Sequence, residues 1–260
     1  MRHGVHIGKQ ISDLETALEN SEYNSAQVFL TGPKSWKDVK VDPVRMKQIC
    51  KKMDIYVHAT YMSVLHNPGH VLHQYHLASR FGARGLIFHI ERKTTSDFVA
   101  GLQPIASGIR RNGPKLLLEM PSYKVDPMVT YTEPARINQL VAAIDSRFPG
   151  LNYGICIDTA HLHGSGVSVV SRAEMDAWLA PLNPRKIGLI HLNGAITPFG
   201  CGHDQHAPAC GPTDLIWGKT PYSKSGCAAI VEYACRHQIP VIQEISDSPT
   251  PPVLRALNSC

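Results

Sequence analysis

Short apolar runs recur eight times along this chain, with polar loops and stretches of helical periodicity between them. The runs are Gly4–Ile7, Ala26–Leu30, Asp54–Val57, Gly85–Phe88, Lys115–Leu118, Tyr153–Ile157, Lys186–Ile190 and Pro240–Gln243. Helical patterns cover Ile11–Asn20, Pro43–Met53, Val71–Phe81, Ser96–Arg110, Glu133–Phe148, Arg172–Leu179 and Ser225–His237. Asp42 and Thr132 are the predicted N-caps before Pro43 and Glu133. Strands alternating with helices, eight strands in all, predict an α/β fold of the (β/α)8 TIM-barrel type. No low-complexity linker or charge block interrupts the 260 residues, so one domain over 1–260 is expected. A doubly wound open sheet is the alternative, but the first strand is not succeeded by the G-x-G-x-x-G turn of its dinucleotide-binding version.

The residue that ends each run narrows the function. His58 comes directly after Val57, His89 after Phe88, Glu119 after Leu118, Asp158 after Ile157, His191 after Ile190 and Glu244 after Gln243. The chain holds 14 His and 21 Asp plus Glu in 260 residues, roughly one position in seven. Six hits at eight strand ends exceed what composition supplies. All C-terminal strand ends of a barrel converge on one face. There, unpaired carboxylates would repel each other and lose hydration, a cost that divalent cations remove. One strand-end histidine alone is better explained by packing; the set points to metal. Mixed nitrogen and oxygen ligands suit zinc, with manganese or iron as alternatives.

Two loops extend the ring. His161 stands three residues after Asp158, within the motif Tyr153–His161. The segment His203-Asp204-Gln205-His206 places Asp204 and His206 two apart, on one side of an extended chain. That geometry lets one cation take both, with His161 as third partner, while His203 points away.

The rest of the composition excludes little. Hydrophobic residues make up 43%, enough for a large core. The formal charge of +5 fits a polyanionic partner without requiring one. Seven cysteines form no CxxC pair, which points to free thiols in a reducing compartment; Cys201 and Cys210, flanking one loop, are the pair that could join. No apolar stretch reaches the ~18 residues of a membrane span, and the opening Met1–His6 does not read as a signal peptide. An intracellular, non-secreted protein with no membrane contact is expected.

In this order, these residues resemble the endonuclease IV family of apurinic/apyrimidinic (AP) endonucleases, over about 1–246. The resemblance rests on Gly4-Val5-His6-Ile7, Phe29–Trp36, His58-Ala59-Thr60-Tyr61, Phe88-His89, Leu118-Glu119, Cys156–His161, His191-Leu192-Asn193, Asp204-Gln205-His206 and Gln243-Glu244. It implies a trinuclear zinc site. His58 and His89 would hold one ion with Glu119 bridging. Asp158, His191 and Glu244 would hold the second, sharing Glu119. His161, Asp204 and His206 would hold the third. Three Zn2+ per chain are implied, with Mn2+ as the alternative at one site.

The resemblance also implies hydrolysis of the phosphodiester 5′ to an abasic deoxyribose in damaged duplex DNA. The products are a 3′-hydroxyl and a 5′-deoxyribose phosphate, and blocked 3′ ends can also be trimmed. Glu119 and Glu244 take catalytic roles, Glu244 orienting water as well as ligating. Tyr61 and Lys34 fall where the family contacts DNA, and His6 and Asn193 fall beside the pocket. A monomer is implied. The chain departs from the family at Ile90-Glu91, Met120-Pro121-Ser122, Gly194 and Ala207–Cys210, all in loops around the pocket.

Two other functions compete. A metal-dependent sugar isomerase or epimerase on a xylose isomerase-like barrel would need one or two ions, and has no use for His161, Asp204 and His206. A non-catalytic DNA-binding relic would not retain the ligand ring.

Overall fold

The computed structural model describes residues 1–8, 14–62, 65–123, 131–245 and 250–260. Eight parallel strands close into a barrel. They are β1 (His3–His6), β2 (Ser25–Val28), β3 (Asp54–His58), β4 (Gly85–His89), β5 (Lys115–Glu119), β6 (Tyr153–Asp158), β7 (Ile187–His191) and, last in the chain, β10 (Val241–Gln243). Sequence neighbours are neighbours in the sheet, and β10 closes the ring between β7 and β1. Helices α1 (Leu14–Glu19), α2 (Pro43–Lys52), α3 (Pro68–Phe81), α4 (Thr95–Gly108) and α5 (Pro134–Arg147) separate the first six strands. α6 (Thr159–Gly164) and α7 (Arg172–Leu179) come after β6. Between β7 and β10 lie the small antiparallel pair β8 (Gly194–Ala195) and β9 (His206–Ala207), then α8 (Gly226–His237). α9 (Pro251–Asn258) ends the chain.

The predicted barrel is present, with revised boundaries. Five strands run one residue further than their apolar runs, so His58, His89, Glu119, Asp158 and His191 are strand residues and not the first loop residues. An apolar run stops at the first polar side chain, but the backbone ladder ignores side-chain polarity. Asp42 caps α2 as expected, accepting from Val44 N at 2.8 Å, with Pro43 in the first turn. Thr132 does not cap α5: the cap is Glu133, and the buried Thr132 hydroxyl has no hydrogen-bond partner among the described residues. Pro134 opens α5 and pre-sets its φ, so the helix starts without a side-chain cap. The first predicted helix begins at Leu14; Ile11 lies outside the described residues. Helices α6 and α9 and the β8–β9 pair were not predicted.

One cysteine pair departs from the expectation of free thiols. Cys201 and Cys210 are both free, whereas Cys235 at the end of α8 is bonded to Cys260 beyond α9. Helix packing brings their Cα atoms to 5.4 Å, within disulfide reach, although 25 residues separate them in sequence.

Inside the barrel the side chains stack in layers. Tyr56, Ile87, Leu117, Cys156, Leu189 and Ile242 form one apolar layer of their own. Each stands two positions before a strand-end candidate: His58, His89, Glu119, Asp158, His191 and Glu244. Because side chains alternate along a strand, residues two apart share a face. The apolar layer is therefore a floor, and the polar ring sits directly on it. The main core fills the space between strands and helices. Among the described residues no helix is long and apolar enough to cross a membrane.

Candidate metal centre

Register sets the ring. His89 pairs with Glu119 across β4 and β5, and Asp158 pairs with His191 across β6 and β7. Glu119 is fully buried at the middle. One of its oxygens lies 2.8 Å from His89 Nε2 and 3.1 Å from His58 Nε2. The other lies 2.8 Å from His191 Nδ1. His191 Nδ1 is also 3.2 Å from Glu244 and 3.6 Å from Asp158. The donor atoms of His58, His89 and Glu119 lie within 4.8 Å of one another, as do those of Glu119, Asp158, His191 and Glu244.

The loop between β8 and β9 completes a third group. Asp204 Oδ1 is 2.6 Å from His206 Nε2, and Oδ2 is 3.2 Å from His161 Nε2. The two-residue spacing of Asp204 and His206 thus puts both on one side. Asp158, His161 and His206 also form a compact donor group. Asp158 therefore faces both the paired groups and the third. His203 is exposed and takes no part.

Hydrogen bonds fix which ring nitrogen faces inward. His58 Nδ1 bonds the carbonyl of Ala59 at 2.7 Å, leaving Nε2 toward Glu119. His161 Nδ1 bonds the carbonyl of Met120 at 2.6 Å, leaving Nε2 toward Asp204. His191 is turned the other way: Nε2 bonds Gln27 Oε1 at 2.8 Å, leaving Nδ1 inward. Partners of this kind set the tautomer and orientation of metal-binding imidazoles.

Gln27 is the residue that sequence reasoning missed. It is fully buried on β2, and its amide nitrogen donates to Glu244 at 2.6 Å and to His6 Nδ1 at 2.9 Å. Asn193, singled out in the sequence, has a similar role. It donates to Asp158 at 2.7 Å and to Glu244 at 3.2 Å, and its carbonyl oxygen accepts from the backbone of Glu244.

The electrostatics arise from packing acids against imidazoles. Burial alone would lower His161, but Asp158 and Asp204 outweigh it and hold the group well above the ordinary imidazole range. Burial likewise opposes His206, yet its bond to Asp204 and the fields of Asp158 and Glu244 raise it to about 9. Burial would raise Glu119 and Glu244, but the surrounding histidines hold both well below the usual carboxylate range. The metal-free centre therefore keeps its charges balanced with protons on nitrogen, and cations would displace them. Cys156, in the floor beneath, is pushed up to about 12 by burial, so it stays a neutral thiol.

The centre opens on one side. His89 and Asp204 are the most exposed of the ring, at 36% and 39% of their side-chain surface. Tyr61 stands there, its ring 5.7 Å from His89 and 5.4 Å from His58, held at its edge by Phe29. Lys34 is exposed on the loop after β2. Pro33 O accepts from Tyr61 N and Thr60 Oγ1, so the Lys34 and Tyr61 loops are tied together.

The unusual loop residues have local explanations. The Glu91 carboxylate accepts the backbone N–H of Leu65, joining the loops after β3 and β4. Ile90 and Met120 are fully buried. A Cβ on Gly194 would lie 2.5 Å from Cγ of Asp214. That buried carboxylate occupies the space and accepts backbone N–H groups of Ala195, Cys210 and Ile216, which positions the β8–β9 segment.

No family model matches the chain. Over 242 residues it is 31% identical to a probable AP endonuclease of African swine fever virus (isolate Warthog/Namibia/Wart80/1980), covering 85% of this chain and 79% of the relative. The chain belongs to the AP endonuclease family. A probable endonuclease 4 of Solibacter usitatus is 25% identical over 236 residues, covering 80% of each chain. Solved structures agree with this membership at the level of fold. AsfvAP:AG superposes with a TM-score of 0.84 at 24% identity, over 99% of this chain and 96% of that one. Endonuclease IV from Thermus thermophilus gives 0.77 at 17% identity, over 100% and 98%. A D-allulose 3-epimerase from Methylomonas sp. shares the barrel more distantly, at 0.59 and 12% identity over 99% and 90%. An AP endonuclease barrel carrying a His, Asp and Glu centre is thus the frame for the chemistry.

Proposed function

We propose that this AP endonuclease is a zinc-dependent DNA repair phosphodiesterase, cleaving duplex DNA 5′ to an abasic site to leave a 3′-hydroxyl and a 5′-deoxyribose phosphate. It is a DNA-cleaving hydrolase, as its family membership states. The observation that carries the finer reading is the division of Glu119, whose two oxygens serve two separate imidazole sets. A carboxylate so placed suits two cations better than one.

In this reading His58, His89 and Glu119 would hold one zinc. Asp158, His191 and Glu244 would hold a second, and His161, Asp204 and His206 a third. Bound cations of this kind lower the pKa of a water and neutralise charge on a phosphate under attack. The chain's own groups do the rest. Glu244 is held by Gln27 and Asn193, which suits it to orient an attacking water. The apolar floor excludes bulk solvent from below. Tyr61 stands at the open side, with Lys34 exposed on the loop tied to it through Pro33, and there an extruded abasic nucleotide and its flanking strand would arrive; extrusion is easiest where stacking is already lost. The same pocket accepts a blocked 3′ terminus. We assign the whole of 1–260 to one catalytic domain acting as an intracellular monomer.

The sugar epimerase reading keeps only the shared barrel in its favour. Metal counting separates the two. About three zinc per chain and no turnover of a ketose support the nuclease. One or two manganese per chain with ketose turnover would overturn it.

A further inference from the structure

The barrel has a second mouth. Below the floor layer, at the N-terminal ends of the strands, lies a cavity of about 350 Å³ lined by Tyr56, Arg84, Lys115, Arg185, Gly188 and His237. Lys115 and Glu119 mark opposite ends of β5, about 13 Å apart at 3.3 Å per residue. The floor residues close the barrel between the two ends, so this cavity and the metal centre do not communicate through it.

Its lining is cationic and incompletely partnered. The stem of Lys115 crosses the mouth over two glycines: a Cβ on Gly188 would lie 3.2 Å from Lys115 Cδ, and one on Gly154 would lie 3.3 Å from it. The Lys115 ammonium has no hydrogen bond or ion pair among the described residues, and burial together with nearby Lys186 pushes its pKa down. Tyr56 is only 5% exposed, yet its hydroxyl has no hydrogen-bond partner among the described residues. Arg84 bonds Asp54 through Nε at 2.6 Å, with its terminal guanidinium nitrogens left over, and Arg2 takes the other oxygen of Asp54 at 3.3 Å. Lys186 is paired with Asp145. Arg84, Lys115 and Arg185 line the cavity, Arg2 and Lys186 stand beside it, and the carboxylates of Asp54 and Asp145 pair with Arg84, Arg2 and Lys186, leaving Lys115 and the Tyr56 hydroxyl without a protein partner among the described residues.

An occupant of the cavity can supply acceptors to the Lys115 ammonium and the Tyr56 phenol, neither of which has a protein partner among the described residues. A tetrahedral oxyanion brings several at once, and guanidinium, ammonium and phenol are its usual donors. The volume is at the small end of ligand sites and exceeds what inorganic phosphate needs. We propose that the N-terminal mouth of the barrel is a binding site for a phosphate monoester, such as a sugar phosphate or a nucleoside monophosphate, separate from the catalytic face. Lys115 and Arg185 supply the charge, and Tyr56 donates to a phosphate oxygen.

Calorimetric titration of the metal-loaded enzyme with inorganic phosphate, ribose 5-phosphate and a nucleoside monophosphate tests this. The ester is expected to bind more tightly than inorganic phosphate. Lys115→Met should weaken the ester by about tenfold or more, the loss of one charge-assisted bond. Tyr56→Phe keeps the packing of the floor and should weaken it by a smaller factor. Lys115→Met, which lies outside the floor layer, should incise abasic DNA at the wild-type rate. Should Lys115→Met fold poorly, Tyr56→Phe and Arg185→Ala carry the test. The proposal is overturned if the wild type binds no ester, or if ester binding is unaltered in the folded variants, which would place it at the metal centre instead.

Discussion

Oε1 of Glu119 lies 2.8 Å from Nδ1 of His191, on the side of the carboxylate away from His58 and His89. The carboxylate spans two imidazole sets, and among the described residues no other buried acid in the ring does so through both oxygens. Glu119→Gln keeps the shape but removes the charge and one acceptor. It is expected to lower abasic-site incision by at least about 100-fold, since even outer partners of metal ligands cost 10–100-fold. Binding of abasic duplex, measured by fluorescence anisotropy, should persist. Wild-type turnover by this variant would refute the bridging role.

Gln27 holds His191 and Glu244 from beneath the ring. Gln27→Leu should weaken metal retention by about 10–100-fold in chelator competition. The metal-free variant should melt within a few degrees of metal-free wild type if the role is orientation. Unchanged chelator sensitivity would reduce Gln27 to a packing residue.

Asp158 and His161 separate the metal groups. His161 meets Asp204, and Asp158 reaches both His191 and His206. His161→Ala should lose about one metal of three, read by elemental analysis against protein concentration. Asp158→Ala should lose more than one, because it faces both groups. It also removes the carboxylate that caps α6 through His161 N at 2.8 Å, so its melting temperature should fall as well. Equal metal loss in both variants would contradict the shared position of Asp158.

The ring makes the metal-free protein pH-sensitive with a definite sign. His206 is raised from 6.5 to about 9, its bond to Asp204 and two further carboxylates overcoming burial. A group raised in the folded state stabilises it fully below the unfolded value and loses that contribution as pH climbs through the folded one. The chelated protein should therefore lose thermal stability from about pH 6.5 to pH 9. Metal affinity should rise across the same window, because binding must displace those protons. Melting curves with and without chelator check both; a flat chelated curve would contradict the charge arrangement described.

Much of the site could be read from the sequence because barrel geometry turns a linear pattern into a convergent one. His58, His89, Glu119, Asp158, His191 and Glu244 each end an apolar run, and closure of the barrel gathers run ends. Asp204 and His206 were legible through their spacing. Gln27 was not: it sits in mid-strand, where the one polar residue of the run Ala26–Leu30 carries no sign that the barrel interior, and not a helix, lies opposite. Asp214 was invisible for a related reason. Its value comes from three backbone N–H groups in a loop whose path no periodicity predicts. Thr132 misled because a hydroxyl one residue too early looks like a cap, while Pro134 fixes the helix start by itself. Cys235 and Cys260 meet only because α9 packs against α8, and α9 is not among the helical patterns read from the sequence.

The most direct measurement is incision of a labelled duplex carrying one synthetic abasic site, by metal-loaded and by chelated protein. The account predicts a single cut 5′ to the lesion with a 3′-hydroxyl end, abolished by chelator and restored by zinc. An intact duplex, or cleavage that continues undiminished after the metal is removed, would contradict it.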